Sequence, residues 1–297
     1  MGERVLAVDI GGTKIAAAVV DGSGEMLRSA IRPTVAPVID TLRSAVLEVG
    51  PGPVAAVGLS CAGPVDAVAG TVGPINIPTW RDFPLRARVG ELVPDVPIAL
   101  AGDGLCMALG EHWIGAGQGS AAMLGMVVST GVGGGLVLGG RSFGGRTGNA
   151  GHVGHVVADP GGEPCTCGGR GCVETVASGP NLVRWAVGNG WAAPARASAV
   201  ELAASAVAGH PVALGAFRRG GRALGLGVVA TAAVCDLDLV VVGGGVAQAG
   251  APLFEPLRRT VAEHAGLSYL ADLCVVPATL GTGAGLAGAA ALAFDAC

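Results

Sequence analysis

Aromatic side chains are scarce in this sequence: five Phe, four Trp and one Tyr among 297 residues. A core without them must be assembled from Ala, Val and Leu. Charge is scarce too, with Asp, Glu, Lys and Arg making up 13% against the ~25% of an ordinary soluble chain. Basic residues number 18 and acidic ones 22, a formal net charge of −4, and Lys14 is the one lysine. That balance offers no cationic footprint for a nucleic acid. Glu3, Arg4 and Asp9 interrupt the start, so a secretory signal is not expected. In a chain this long without such a signal, a disulfide framework is not expected. Cys61, Cys106, Cys235 and Cys274 read instead as small buried hydrophobes, and Cys297 as a free end.

Glycine is abundant: 53 residues, about 18% where ~7% is usual. Many of these positions mark turns or close backbone approaches. Hydrophobic residues at 51% exclude a disordered chain. The length suits two domains or one large one. From Trp113 to Gly140 there is no charge, a run long enough to cross a bilayer. Ten of those 28 residues are glycine, however, which reads better as buried strands joined by Gly turns. A protein of the cytoplasm, without a membrane partner, is expected.

Arg4 to Val8 and Ile15 to Val20 read as strands flanking a Gly-rich turn, with a third strand near Met26 to Ile31. Leu42, Val46 and Val49 give Val38 to Val49 helical spacing. Val54 to Ser60 and Ile98 to Ala101 are buried-strand patterns, and Leu105 to Ile114 a helix. About 120 residues after the first, the opening recurs: strand Ala121 to Val128, turn Ser129 to Gly135, strand Leu136 to Leu138. A loop-rich middle (Arg141 to Glu174) leads to helices from Val176 to about Ala208 and a long helix around Val212 to Val234. Strands Leu237 to Val242 and Leu273 to Val276 and a helix Gly285 to Phe294 complete the chain. The pattern predicts an N-terminal α/β lobe, 1–116, with the helix of 282–297 packed back on it. A C-terminal α/β lobe, 117–281, carries the Cys-rich loop, and a hinge lies near Gly115 to Gly119. Duplicated halves with facing Gly loops suit a nucleotide cleft between lobes that close.

Gly11-Gly12-Thr13 and Gly131-Val132-Gly133-Gly134 are each readable as ordinary hairpin turns. As a pair, one per half, they fit loops whose backbone N–H groups approach phosphate oxygens. Asp9 at a strand end can hold Mg²⁺ directly or through water; Lys14 stands near a phosphate or simply faces solvent. The most specific pattern is His155 followed by Cys165-Thr166-Cys167-Gly168-Gly169-Arg170-Gly171-Cys172. Three thiols within eight residues and one imidazole make a Cys₃His set for tetrahedral Zn²⁺, with no position left open for a catalytic water. Such a zinc is structural and holds Gly148 to Glu174 in shape. Three buried free thiols would be the alternative, and the loop looks too polar to bury them.

Asp9 to Lys14, Ser129 to Gly135, the Gly151 to His155 segment (G-H-V-G-H) and Cys165 to Glu174 (C-T-C-G-G-R-G-C-V-E) together resemble the ROK family of repressors and sugar kinases, over nearly the whole chain. The resemblance implies an α/β actin-like ATPase (ribonuclease H-like) fold, two lobes with ATP, Mg²⁺ and sugar in the cleft, and a homodimer. It implies that Asp103, otherwise readable as a helix N-cap, is the base taking the proton of a primary hydroxyl. It implies that His155 binds zinc and faces the sugar, and that Glu174 accepts sugar hydroxyls. Gly63 and Asn76 fall in sugar-facing loops. Gly11, Gly12, Thr13, Thr130, Gly131 and Gly133 fall beside the phosphates, and Gly243, Gly244 and Gly245 near the adenosine.

Two positions depart from the family pattern: Gly102 stands where Asn precedes the base, and His152 where a carboxylate holds the ring. The implied activity is an ATP-dependent kinase acting on the 6-hydroxyl of a hexose. A modified or amino sugar such as kanosamine, of antibiotic pathways, is expected, with glucose or a C7 cyclitol as alternatives. A catalytically silent sugar-binding protein or a repressor is the alternative of another class. The repressors carry a winged-helix domain before this motif, and with eight residues ahead of Asp9 a repressor is not expected.

Overall fold

The computed structural model describes residues 3–74, 76–194 and 197–297. Met1, Gly2 and Ile75 of the expected first lobe lie outside these, as do Ala195 and Arg196 within the expected helical stretch from Val176 to Ala208. The elements run β1 (Arg4–Ile10), β2 (Lys14–Asp21), β3 (Met26–Pro33), α1 (Val38–Val49), β4 (Ala56–Cys61), β5 (Val65–Asp66), β6 (Thr71–Val72), α2 (Leu85–Gly90), β7 (Ile98–Gly102) and α3 (Asp103–Ile114). There follow β8 (Ala122–Val128), β9 (Val132–Leu138), β10 (Arg141–Phe143), α4 (Val173–Ala177), α5 (Gly179–Gly188), α6 (Ala199–Val207), α7 (Pro211–Cys235), β11 (Leu239–Gly243), α8 (Ala251–His264), β12 (Cys274–Pro277) and α9 (Ala284–Phe294).

Two five-stranded sheets share one layout: β3-β2-β1-β4-β7 and β10-β9-β8-β11-β12. In the first, β1 is antiparallel to β2 and parallel to β4, and β4 is parallel to β7. In the second, β11 is parallel to β8 and β12. This mixed α/β duplication is the actin-like ATPase architecture. By compactness the chain divides into one unit of 1–119, 135–151 and 282–297 and another of 120–134 and 152–281. Relative to the expected lobes, residues 135–151 group with the first unit.

The pleat of β1 sorts its side chains onto two faces. Leu6, Val8 and Ile10 join Leu42, Val46 and Val49 of α1 in one core. Val5 and Ala7 join Leu286, Ala289, Ala290 and Ala293 of α9 in the other. The second core is built of small residues because α9 lies almost on the sheet backbone. A Cβ at Gly58 would stand 1.7 Å from the Ala289 carbonyl oxygen. Aromatic side chains reach this core as the partly buried Trp113 and Phe294. α1 stops where Gly50 turns left-handed (φ 54°) and its N–H reaches the carbonyls of Val46 and Leu47.

Several boundaries differ from expectation. The helix expected from Leu105 begins at Asp103. The strand expected from Leu136 begins at Val132, so Gly133, Gly134 and Gly135 are strand residues and the turn shrinks to Ser129–Gly131. The helices expected from Val176 begin three residues earlier, as α4, α5 and α6, and Ser198 starts α6 through a capping box with Glu201. Cys61 and Cys106 are buried as expected and Cys235 is half-buried, but Cys274 is exposed, because β12 is an edge strand. The uncharged stretch from Trp113 resolves into the end of α3 and β8–β9. Among the described residues, no single helix is long and apolar enough to cross a membrane.

Candidate active site

Two carboxylates stand at the carboxyl ends of parallel strands in the first unit. Register places Asp9 of β1 opposite Ser60 of β4, and Ser60 opposite Ala101 of β7, two residues before Asp103. In parallel sheets this is the edge where ligands bind. Asp9 is half-buried, and the fully buried Ser60 donates its hydroxyl to Asp9 Oδ1 at 2.6 Å. The first turn of α9 crowds the same carboxylate, since a Cβ on Gly285 would lie 2.8 Å from Asp9 Oδ2. Burial pushes the Asp9 pKa above its ordinary value, while the Ser60 hydroxyl and the Lys14 charge act against the rise.

Asp103 is the first residue of α3, directly after β7. Its Oδ1 accepts the Gly104 N–H at 2.8 Å. Solvent reaches the carboxylate, yet surrounding protein atoms displace much of its hydration. That desolvation raises its pKa, the Gly104 N–H opposes the rise, and the Asp9 charge adds to it. Gly102 has ordinary extended angles (φ −68°, ψ 151°), and a Cβ there would meet nothing within 4 Å. The space beside the candidate base is therefore open.

The first Gly loop is a tight hairpin, with the Gly11 N–H bonded to the Lys14 carbonyl at 2.9 Å and the Thr13 and Gly11 carbonyls taken by Thr34. Asn76 lies on it: a Cβ at Gly12 would come 2.5 Å from Asn76 Nδ2. The structure thus brings Asn76 to the loop of Gly11–Lys14. Gly63 follows β4 and precedes a cis peptide to Pro64. Asn149 clamps the next turn, donating to the Val65 carbonyl at 2.8 Å and accepting the Val65 N–H at 3.4 Å. Neither Ser60 nor Asn149 was singled out from sequence, where nothing marks a lone Ser or Asn as a clamp.

In the second unit, His152, His155 and Glu174 come together. The two imidazoles stack with centroids 6.1 Å apart and planes 16° from parallel. Desolvation and the neighbouring His155 push the His152 pKa below the ordinary imidazole value, with Glu174 pulling the other way, which favours the neutral ring. Glu174, in the first turn of α4, accepts the Val132 N–H on Oε2 at 2.8 Å. One of its oxygens is therefore committed to the second Gly loop, which sequence did not reveal.

His155, Cys165, Cys167 and Cys172 place their ligand atoms within 4.8 Å of one another. Cys167 Sγ lies 3.8 Å from Cys172 Sγ, and Cys165 Sγ lies 3.8 Å from His155 Nδ1. Thiolates about 2.3 Å from a tetrahedral Zn²⁺ stand ~3.8 Å apart, so the donor set fits that ion in both chemistry and span. Cys165 and Cys172 are buried and only Cys167 is exposed. The polarity of the loop does not keep the thiols out, because they turn inward on one another. The Gly169 N–H bonds Cys167 Sγ at 3.4 Å, which favours the thiolate.

Beside the second Gly loop is a recess of about 510 Å³, lined by Ser129, Thr130, Gly179, Pro180, Val183, Arg184, Ser198, Val200, Gly245 and others of the second unit. Gly243 closes β11, and Gly244 (φ 91°) turns the chain so that Gly245 joins this wall. Thr130 and Gly245, two residues expected beside a nucleotide, line this recess. The walls from α5 and α6 were not, since Pro180, Val183 and Val200 look like ordinary helix residues. Gly133 lies one residue inside β9, with open space where its Cβ would be.

A model of the ROK family matches residues 5–296. A glucokinase of Streptomyces coelicolor is 34% identical over 309 aligned positions, covering 98% of this chain and 97% of that protein. A kanosamine kinase of Amycolatopsis mediterranei is 32% identical over 296, covering 97% and 95%. A crystal structure of a ROK family glucokinase from Streptomyces griseus in complex with glucose and AMPPNP superposes with a TM-score of 0.82. It is 35% identical and covers 98% of this chain and 99% of that one.

Proposed function

The chain belongs to the ROK family, and on that footing we propose that it is an ATP-dependent kinase for the primary 6-hydroxyl of a hexose carrying a changed ring substituent, an amino sugar of the kanosamine type. The observation that supports this most is the pair Asp9 and Asp103 at the carboxyl ends of β1 and β7, with the space beside Asp103 left open at Gly102. Its relatives include kinases named for glucose, kanosamine and N-acetylmannosamine.

In this reading Asp103 accepts the proton of the 6-hydroxyl as that oxygen attacks the γ-phosphorus of ATP, and ADP leaves. Its raised pKa makes it a stronger base than an ordinary carboxylate. A Mg²⁺ ion arriving with ATP would spread the phosphate charge, and Asp9 is the carboxylate that would hold it. Gly11, Gly12, Thr13, Lys14, Thr130, Gly131 and Gly133 would line the phosphates, and the recess at Gly245 would take the adenosine. Catalysis then rests mainly on positioning and electrostatics. A zinc held by His155, Cys165, Cys167 and Cys172 would shape the sugar loop and perform no chemistry.

Ring recognition would fall to Gly63, Asn76, Gly102, His152, His155 and Glu174. Gly102 lacks the amide that could donate to and accept from a ring hydroxyl. His152 replaces an acceptor-only carboxylate with a neutral ring that can accept from an amine. Each lost partner leaves a buried polar group unpaired at about 1–3 kcal/mol, so the two changes together favour a different ring. Sugar-dependent ADP release from ATP, measured for glucose, glucosamine, 3-amino-3-deoxyglucose and a C7 cyclitol, tests this. Release with none of them would refute the kinase; strongest release with glucose would refute the altered ring.

A further inference from the structure

We propose that Glu174 is a positioning residue for the nucleotide, a brace that fixes the second Gly loop and transmits sugar occupancy to it. The inference rests on the kinase reading only for the sugar half; the brace itself is a matter of geometry within one unit. Glu174 Oε2 accepts the Val132 N–H at 2.8 Å. Gly131 is what lets the carboxylate come so close, since a Cβ there would stand 2.7 Å from the same oxygen. A second stitch runs parallel to it: the Gly179 N–H bonds the Ser129 carbonyl at 2.8 Å. The corner between α4 and α5 thus grips the loop at both ends of Ser129–Val132.

The grip is itself held. Asn181 Nδ2 donates to the Glu174 carbonyl at 2.9 Å and to Ser178 Oγ at 2.8 Å, tying the corner to α5. Ser129, Thr130 and Gly179 all line the recess that would receive the nucleotide. Three consequences follow. The Val132 N–H, occupied by Glu174, is not one of the phosphate donors of the loop. The loop's free N–H groups are pre-oriented before ATP arrives, which spares the ordering cost of binding. And because Oε1 has no hydrogen-bond partner among the described residues, a sugar hydroxyl donating to it would stiffen the carboxylate and, through Oε2, the loop. Binding of sugar and nucleotide is then coupled, and by linkage the coupling factor is the same in both directions.

Calorimetric titration of the full chain with Mg²⁺–AMPPNP, with and without 3-amino-3-deoxyglucose, tests this on Glu174→Ala and Glu174→Gln. Without sugar, Glu174→Ala should weaken AMPPNP at least about 5-fold, as the loss of a charge-assisted bond requires. Glu174→Gln keeps a carbonyl oxygen for Val132 and should stay within about 2-fold of the wild type. In both variants the sugar should no longer tighten AMPPNP. If Glu174→Ala leaves sugar-free AMPPNP affinity unchanged, or if Glu174→Gln is as weak as Glu174→Ala, the brace is refuted. Should the alanine variant fail to melt cooperatively, Glu174→Asp, too short to reach Val132, replaces it with the same expectation. A wild type that binds AMPPNP but phosphorylates no sugar would refute the kinase reading, and the sugar-free titrations would still judge the brace.

Discussion

Filling the open space at Gly102 with the amide it lacks is the perturbation whose outcome the structure constrains most tightly. In Gly102→Asn the backbone needs no adjustment, because φ −68° and ψ 151° are accessible to any residue and the new Cβ meets nothing within 4 Å. Removing a glycine at a compatible site stabilises by about 0.4–1 kcal/mol through the unfolded chain. Gly102 is also the N-cap of α3, where Asn is better than Gly by a few tenths of a kcal/mol. Together these should raise Tm by about 1–4 °C for a protein of this size. Kinetically, one restored hydrogen bond to a glucose hydroxyl is worth about 0.5–1.5 kcal/mol, roughly 2- to 13-fold in kcat/KM. A substrate whose ring substituent occupies that space should lose about 5- to 150-fold to overpacking. Scanning calorimetry and steady-state kinetics on both sugars read the two effects separately. A fall in Tm would mean the space is not open. An unchanged preference between the two sugars would mean that Gly102 does not face the ring, and the argument for an altered substrate would lose its main support.

Asp103→Asn should cut kcat by about 10²- to 10⁴-fold, the usual cost of losing a general base, while calorimetry still shows sugar binding. The same variant should raise Tm near neutral pH. The folded-state pKa of Asp103 lies above its unfolded value, so ionisation opposes folding as pH rises through that window, and an amide has no ionisation to oppose it. In the wild type, kcat should fall on acidification at a pH above the ordinary carboxylate range, because the unprotonated form of a raised-pKa base is the active one; a limb that persists unchanged in Asp9→Asn and Asp103→Glu would contradict this. Metal analysis should find about one Zn²⁺ per chain, and Cys167→Ser or chelation should lower Tm, since structural zinc contributes on the order of 10 kcal/mol to forming such a site. Zinc-free protein with unchanged Tm and activity would contradict that.

Periodicity carried the fold well wherever a face was buried. Val38–Val49 reads as a helix because Leu42, Val46 and Val49 recur on one side, and those residues do enter the core with β1. Boundaries failed where glycine sits inside an element. Val132–Leu138 was split by its glycines, although strand residues with no side chain are what let a helix lie close by: a Cβ at Gly135 would meet the Leu105 Cα at 2.3 Å. The short strands β5, β6 and β10 and helix α2 carry too few residues to show a period. At the site, thiols and glycine runs are visible in one dimension, so Asp9 beside its Gly loop and the Cys₃His cluster stand out locally, whereas Asp103 reads locally as a helix cap and takes the role of base only through the family resemblance. Ser60, Asn149 and the engagement of Glu174 with Val132 depend on partners 51, 84 and 42 residues away, and no local pattern records such pairings.

The most direct test of the account is one competition. Equimolar glucose and 3-amino-3-deoxyglucose are mixed with the protein, Mg²⁺ and limiting ATP, and the two 6-phosphates are quantified by mass spectrometry, their ratio giving the ratio of kcat/KM. The account predicts that the amino sugar 6-phosphate predominates. Predominance of glucose 6-phosphate would contradict the altered ring site, and the absence of any phosphorylated sugar would contradict the kinase itself.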